Sequence, residues 1–233
     1  MSKKLITIIL IATSGIFYYY LTSTTSYNLQ SFKVIRVIDG DTLELENGMN
    51  VRLKGINTPE KSMPNYEEAM QFLSAIVYKK TIQIENHGTD KYNRLLAYVF
   101  YNNQNINQLI VKNGFAHSYY YDKDNHYDEI IEAEQFAKQN HLGIWNPSPN
   151  QNCLQINKFQ PIDKTENESE ILILENTCDI QLNIIIKDEA THIYKETIYP
   201  NSKFTKTFKN IFNDDGDSIF VWDEQGLLMF YHY

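Results

Sequence analysis

Val34-Ile35-Arg36-Val37-Ile38-Asp39-Gly40-Asp41-Thr42 is followed by three further informative segments: Val51-Arg52-Leu53-Lys54-Gly55-Ile56-Asn57-Thr58-Pro59-Glu60, Thr89-Asp90-Lys91-Tyr92-Asn93-Arg94-Leu95-Leu96-Ala97-Tyr98 and Leu142-Gly143-Ile144-Trp145. Together they set out two aspartates, an unaccompanied glutamate and two arginines in one order. Cleavage of a phosphodiester asks for that kind of set. It needs cations to take up charge developing on the phosphate oxygens, and a group to aim or deprotonate water. Arg52 and Arg94 each offer a planar fork for phosphate oxygens. Asp39 and Asp41 are hard oxygen donors of the kind calcium takes, and Glu60 is left over for water.

Each residue has an ordinary explanation when taken alone. An arginine on a strand is usually solvated or ion-paired. A glutamate after a proline suits the start of a helix, where the dipole favours an acid. Asp-Gly-Asp is common turn chemistry, and Tyr119-Tyr120-Tyr121 reads first as strand packing. The four segments carry weight because they occur in register.

In that order they resemble the staphylococcal (micrococcal) nuclease family, over about Ser31 to Pro147. The resemblance implies that Arg52 and Arg94 hold the scissile phosphate and that Glu60 is the general base or water-positioner. It implies Ca2+ bound by Asp41, the carbonyl of Thr58 and the position of Asn57, with Asp39 reaching it through water. It further implies a nucleotide pocket lined by Lys91, Tyr92, Tyr119 and Tyr121, DNA and RNA as substrates, and products ending in 3′-phosphate. Asn57 departs from the family, which has aspartate there. An amide brings no charge, and calcium affinity falls with ligand charge count, so weaker metal binding is expected. The loop between Gly114 and Tyr119 is also one residue short, which loosens the tyrosine match.

Periodicity predicts strands at Phe32–Ile38, Leu43–Glu46, Val51–Ile56, Thr81–Glu85 and Leu95–Phe100. Helices are predicted over Glu67–Lys80, Ile106–Asn113 and Asp128–Asn140. The predicted class is therefore α+β: an OB-like five-stranded β-barrel with about three helices, over 31–147. Past Pro147-Ser148-Pro149-Asn150, six short strand patterns split by polar turns predict a small all-β, sandwich-like domain over 148–233. It loosely resembles lamin-tail-like domains. Asp214-Asp215-Asp217 reads as a solvated turn, and His117, His126 and His141 as surface residues.

Residues 1–30 read as a targeting segment. Lys3 and Lys4 precede an apolar run from Leu5 to about Leu21, then a Ser/Thr-rich linker. This predicts a signal peptide or a signal-anchor tethering through 3–21, and an extracytoplasmic, secreted or membrane-anchored protein. Cys153 and Cys178 are the only cysteines, and either a disulfide or two buried thiols fits them. The net charge of −8 argues against a dense DNA-binding surface. From Phe32 to Pro147 there are 12 Lys/Arg and 15 Asp/Glu, and from Ser148 onward 7 and 14, so most acidity lies beyond the nuclease-like part. Local positive potential is expected at Arg52, Lys54, Lys91 and Arg94. The competing expectation is a catalytically weak nucleic-acid-binding module with a C-terminal adhesion or partner-binding domain. No stable protein partner is expected, and the chain is expected to be a monomer.

Overall fold

Alternation of inward and outward side chains builds the first half of the chain. In the computed structural model, which describes residues 29–161, 169–209, 211–213 and 216–233, β1 (Gln30–Val37) pairs antiparallel with β2 (Thr42–Leu45) and with β5 (Thr81–Thr89). Strand β3 (Asn50–Leu53) pairs antiparallel with β2, and β5 with β6 (Leu95–Tyr101). A parallel pairing of β3 with β6, Val51 opposite Leu95 and Leu53 opposite Ala97, closes the five strands into a barrel. Leu43 and Leu45, Val51 and Leu53, Ile82 and Ile84, and Ala97 and Val99 are spaced two apart, so each pair falls on the inner face and is buried.

Three helices cover this barrel. In α1 (Tyr66–Val77) the buried residues Ala69, Leu73 and Val77 recur every fourth position, giving one apolar stripe. Helix α2 (Ile106–Lys112) follows the short β7 (Gln104–Asn105) and is capped by the Asn105 side chain, which accepts from Gln108 N. Helix α3 (Tyr127–Gln139) buries Ile130, Ala133 and Ala137. The expected long strand over Val51–Ile56 is broken at Lys54-Gly55, because Gly55 adopts φ +77°. A Cβ there would stand 2.4 Å from the Tyr120 hydroxyl, so the turn needs glycine. Beyond it β4 (Ile56–Asn57) pairs with β8 (His117–Ser118).

The later strands form two further sheets, ordered β13-β10-β9 and β12-β11-β14-β15. Their ranges are β9 Leu154–Gln160, β10 Glu170–Asn176, β11 Leu182–Lys187, β12 Ile193–Ile198, β13 Ser202–Phe208, β14 Ser218–Asp223 and β15 Gly226–His232. Leu172, Leu174, Leu182, Ile184, Ile219 and Val221 fill the space between them. Strand β9 was not expected, because Leu154–Gln160 mixes polar and apolar residues without clean alternation. Cys153 and Cys178 form a disulfide, with Cα atoms 5.2 Å apart.

The two parts meet on aromatic residues. Met63, Ala137, Ile144 and Trp145 pack with Phe220 and Trp222 of β14 in one apolar cluster. Trp222 Nε1 donates to the Ile144 carbonyl at 3.0 Å, Ser148 N donates to the Leu227 carbonyl and Leu227 N to the Asn146 carbonyl. The Leu142–Trp145 motif therefore serves as a seam. Residues 1–28, which hold the expected targeting segment, and Asp214 and Asp215 lie outside the described residues. Asp217 is buried, not solvated as expected, because its carboxylate accepts from the backbone of Ser218, Glu189 and Asn213.

One buried amide clasps the barrel. Asn107, fully buried, donates to the carbonyls of Lys54 and Ala97 at 2.9 and 3.1 Å and accepts from Val99 N at 3.0 Å. Asn107→Leu should leave Val99 N and the Lys54 carbonyl without this partner, while the Ala97 carbonyl keeps its bond from Lys54 N. It should lower the free energy of unfolding by about 2–3 kcal/mol, measured by denaturant titration.

Candidate active site

The site begins at the turn between β1 and β2. A Cβ on Gly40 would lie 2.8 Å from the Ala69 Cβ and 2.9 Å from the Thr58 Cβ. Only glycine lets the Asp39–Asp41 turn press against α1 and the loop after β4. That contact delivers Asp41, itself buried, to Thr58. One Asp41 carboxylate oxygen accepts from Thr58 N at 3.0 Å and Thr58 Oγ1 at 2.9 Å. The other accepts from Thr42 Oγ1 and pairs with Arg52 Nε at 3.1 Å. Asp39 accepts from Asp41 N at 3.0 Å, which sets the two carboxylates side by side. Burial, then the Asp41 charge, pushes the Asp39 carboxyl up to about 6.

Arg52 points out of the barrel because its neighbours Val51 and Leu53 point in. Its guanidinium is fully directed: Nε to Asp41, one NH2 to Asn57 Oδ1 at 2.9 Å, and the other to the carbonyl of Leu53. The Asn57 amide nitrogen donates to the carbonyls of Glu189 and Ala190 at 2.9 and 2.8 Å. Both polar ends of Asn57 are thus engaged, one with Arg52 and one with the loop after β11.

Glu60 is half-buried one turn further on. Its carboxyl is raised by burial and by the Asp41 charge, against the pull of Lys187, Arg52 and Arg94. Asp41, Arg52 and Arg94 all lie within electrostatic reach of Glu60. In the parallel register of β3 and β6 Arg52 stands opposite Leu96, which leaves Arg94 two positions back, just ahead of β6 and on the same face.

Arg94 is more open. Its Nε and one NH2 each reach Asp90 at 2.8 Å, while the Asp90 carboxylate also accepts the backbone N–H of Tyr92 and Arg94. Burial works against the Asp90 charge, but these bonds outweigh it and hold the carboxyl below its ordinary range. Lys91 Nζ and Arg94 lie over the exposed Tyr92 ring at 5.2 and 5.4 Å. Tyr119 and Tyr121 share a hydroxyl contact of 2.6 Å with rings edge-on at 5.3 Å, and Tyr121 is 85% exposed. Tyr119 is held by its N–H to the Gly55 carbonyl, and Arg52 is among the charges its hydroxyl feels. Lys54 differs from expectation. It pairs with Asp124 beside the Tyr98 ring, so its charge is compensated.

Two residues near the site are not legible as such in the sequence. His117, opposite Asn57 in the β4–β8 pair, is buried against Phe220 with its Nε2 unpaired. Burial and then the Lys187 charge hold it neutral, well below the usual histidine range. His126 is buried as well, bonded to Glu85 and Glu129, so only His141 matches the expected surface placement. Lys187 ends β11 with 1% exposure and donates to the carbonyls of Asp188 and Ala190. After Ile184-Ile185-Ile186 and before Asp188-Glu189 it reads as a solvated strand end. The seam between the two parts also holds a cleft of about 400 Å³ lined by Ser118, Glu134, Ser218 and His232, but not by the arginines or Glu60.

Two arginines, a directed carboxylate pair and a glutamate thus gather at one rim of an OB-like barrel. Residues 50–147 match the family described as staphylococcal nuclease homologue. The chain is 34% identical over 131 residues to a thermonuclease of Staphylococcus hyicus, covering 51% of this chain and 78% of that one. It is 33% identical over 135 residues to a thermonuclease of Staphylococcus intermedius, covering 53% and 80%. It is also 33% identical over 141 residues to a Haemophilus influenzae protein named uncharacterized endonuclease, covering 58% and 78%. The chain belongs to the staphylococcal nuclease family and is a nuclease-type hydrolase.

The Asp39 carboxyl yields a sign-definite prediction. The folded chain binds this proton more tightly than an unfolded one, so its contribution to stability is greatest below pH 3.8 and is lost as pH rises through about 6. Asp39→Asn should stabilise the protein by on the order of 2 kcal/mol at pH 7.5 in chelator. It should do nothing at pH 3.5, as thermal melts at the two pH values will show.

Proposed function

We propose that this chain is an exported, Ca2+-assisted nuclease that hydrolyses DNA and RNA and leaves 3′-phosphate ends. The observation that carries the reading is the convergence of Arg52, Arg94 and Glu60 beside the Asp39–Asp41 pair. Glu60 orients the attacking water and accepts its proton. Arg94, partly exposed and hinged on Asp90, takes two phosphate oxygens, while Arg52, already fixed by Asp41 and Asn57, meets the charge that builds in the transition state. Lys91, Tyr92, Tyr119 and Tyr121 form the wall against which a nucleotide lies.

The donor chemistry fits a hard divalent cation in part. Two adjacent carboxylates, the Asp39 charge disfavoured by burial and by its neighbour Asp41, are relieved by a positive ion. Asp41, Asp39 through water and the Thr58 carbonyl would hold it. Asn57 is spoken for on both sides. Among the described residues there is no group of three or more His, Cys, Asp or Glu that could hold a metal, which is why weak calcium affinity is part of the proposal. Bound Ca2+ would supply charge neutralisation at the phosphate.

Division into a targeting segment over 1–30, a nuclease part over 31–147 and a β part over 148–233 belongs to the same proposal, as does a monomeric state. The Cys153–Cys178 disulfide supports an oxidising, extracytoplasmic setting. No helix among the described residues is long and apolar enough to cross a membrane, so a tether through 3–21 rests on sequence. A second reading, a nucleic-acid-binding module without turnover and with a C-terminal partner-binding part, is favoured by one observation: the Asn57 amide is committed away from the metal position.

Digestion of single-stranded DNA with added Ca2+ separates the two. Glu60→Gln should lower kcat by about 100-fold with little change in oligonucleotide affinity. Arg94→Ala should lower kcat/KM by about 100–1,000-fold, and Arg52→Lys should be nearly as damaging, since a point charge cannot replace the fork. The acid limb of the kcat/KM profile should lie above 4.5, the direction in which Glu60 is shifted. Oligonucleotide binding without turnover at any calcium concentration would select the binding module.

A further inference from the structure

The loop after β11 reaches into the nuclease site in a way the family assignment does not explain. Ala190 presents one carbonyl to two donors, the Asn57 amide at 2.8 Å and the Lys187 ammonium. Lys187 also donates to the Asp188 carbonyl at 3.0 Å. The loop is braced on its far side: the buried Asp188 carboxylate accepts from His192 N at 3.0 Å and Nδ1 at 2.6 Å, and Asp217 accepts from Glu189 N. A buried cation is therefore held behind Asn57; the Asp188 carboxylate is the strongest charge acting on it, followed by Glu60 and Asp41, and His117 feels it as well. Asn57 brings no charge to this position, and Lys187 held behind it brings a positive one.

We propose that Lys187 is a built-in counter-cation of the nuclease site, carried there by the C-terminal sheet, and that it replaces part of the positive charge a divalent ion otherwise supplies. The proposal rests on the nuclease reading and deepens it. Lys187 is too buried to touch a substrate, so it is a positioning residue that acts on Asp41 and Glu60 through its field. Arg36, Lys54 and Lys138 pair with Glu44, Asp124 and Glu134, leaving the field at Glu60 to Lys187, Arg52 and Arg94. The C-terminal sheets are then part of the active site, and Asn57 is the residue that docks them.

Calcium binding by calorimetry on the full chain tests this without reference to turnover. Lys187→Gln keeps donors for the two carbonyls and removes the charge, and Lys187→Arg keeps the charge. Lys187→Gln should bind Ca2+ about tenfold more tightly than wild type, as expected when a unit charge several ångströms from the ion is removed. Lys187→Arg should match wild type. In chelator, affinity for a short single-stranded phosphorothioate oligonucleotide should fall several-fold in Lys187→Gln and be kept in Lys187→Arg. Equal calcium affinities in folded wild type and Lys187→Gln, or no calcium binding in either, overturn the proposal. If Lys187→Gln does not fold, Lys187→Met takes its place, and failure of both to fold would assign Lys187 to stability alone and overturn it too. A wild-type chain that cleaves nothing would remove the nuclease reading while leaving the calcium comparison decisive for Lys187.

Discussion

The Arg52 guanidinium, locked between the Asp41 carboxylate and the Asn57 amide, is the interaction on which the rest of this structure depends. It ties β3 to the β1–β2 turn and to β4, so it holds three segments together at one rim of the barrel. A guanidinium at 11% side-chain exposure is tolerable only because each of its edges meets an oxygen. The same saturation makes it a fixed charge that needs no reorganisation. Arg94 is the more open of the two, paired with Asp90 and lying over the Tyr92 ring.

Acidity in this protein is arranged so that it does not defeat the site. Many of the carboxylates near the rim are engaged, Asp41 with Thr58 and Arg52, Asp90 with Arg94, Asp124 with Lys54 and Tyr98. Long-range attraction for a polyanion is weak at a net charge of −8. Under the proposed function, recognition is then short-ranged and falls to the two arginines and the tyrosines at the open rim.

Much of the barrel was legible because alternation and helical spacing are local signals. The strands through Leu43, Val51 and Leu95, and the helices through Leu73, Ile110 and Ile130, fall where their apolar periods put them. The candidate catalytic set came from a different source, the order of Asp41, Arg52, Glu60 and Arg94 along a family resemblance. What was hidden depends on contacts between distant segments. His117 and His126 are buried by partners far away in sequence, Phe220 and Glu85, and no local pattern announces that. Lys187 is the clearest case. A lysine closing an isoleucine run is normally a solvated strand end, and only the fold shows that Lys187 and Asn57 share the Ala190 carbonyl. Asn57 itself was visible as a departure, but its docking role required the loop at 188–190 to be seen.

Hydrogen exchange by mass spectrometry, with and without a non-cleavable phosphorothioate oligonucleotide, tests most directly the claim that barrel and C-terminal sheet build one nucleic-acid site. Binding should slow exchange in peptides covering residues 39–60 and 90–94, and also in the 187–192 loop that no nucleotide touches. Protection confined to other surfaces, or protection of the barrel rim with the 187–192 loop unchanged, would contradict it.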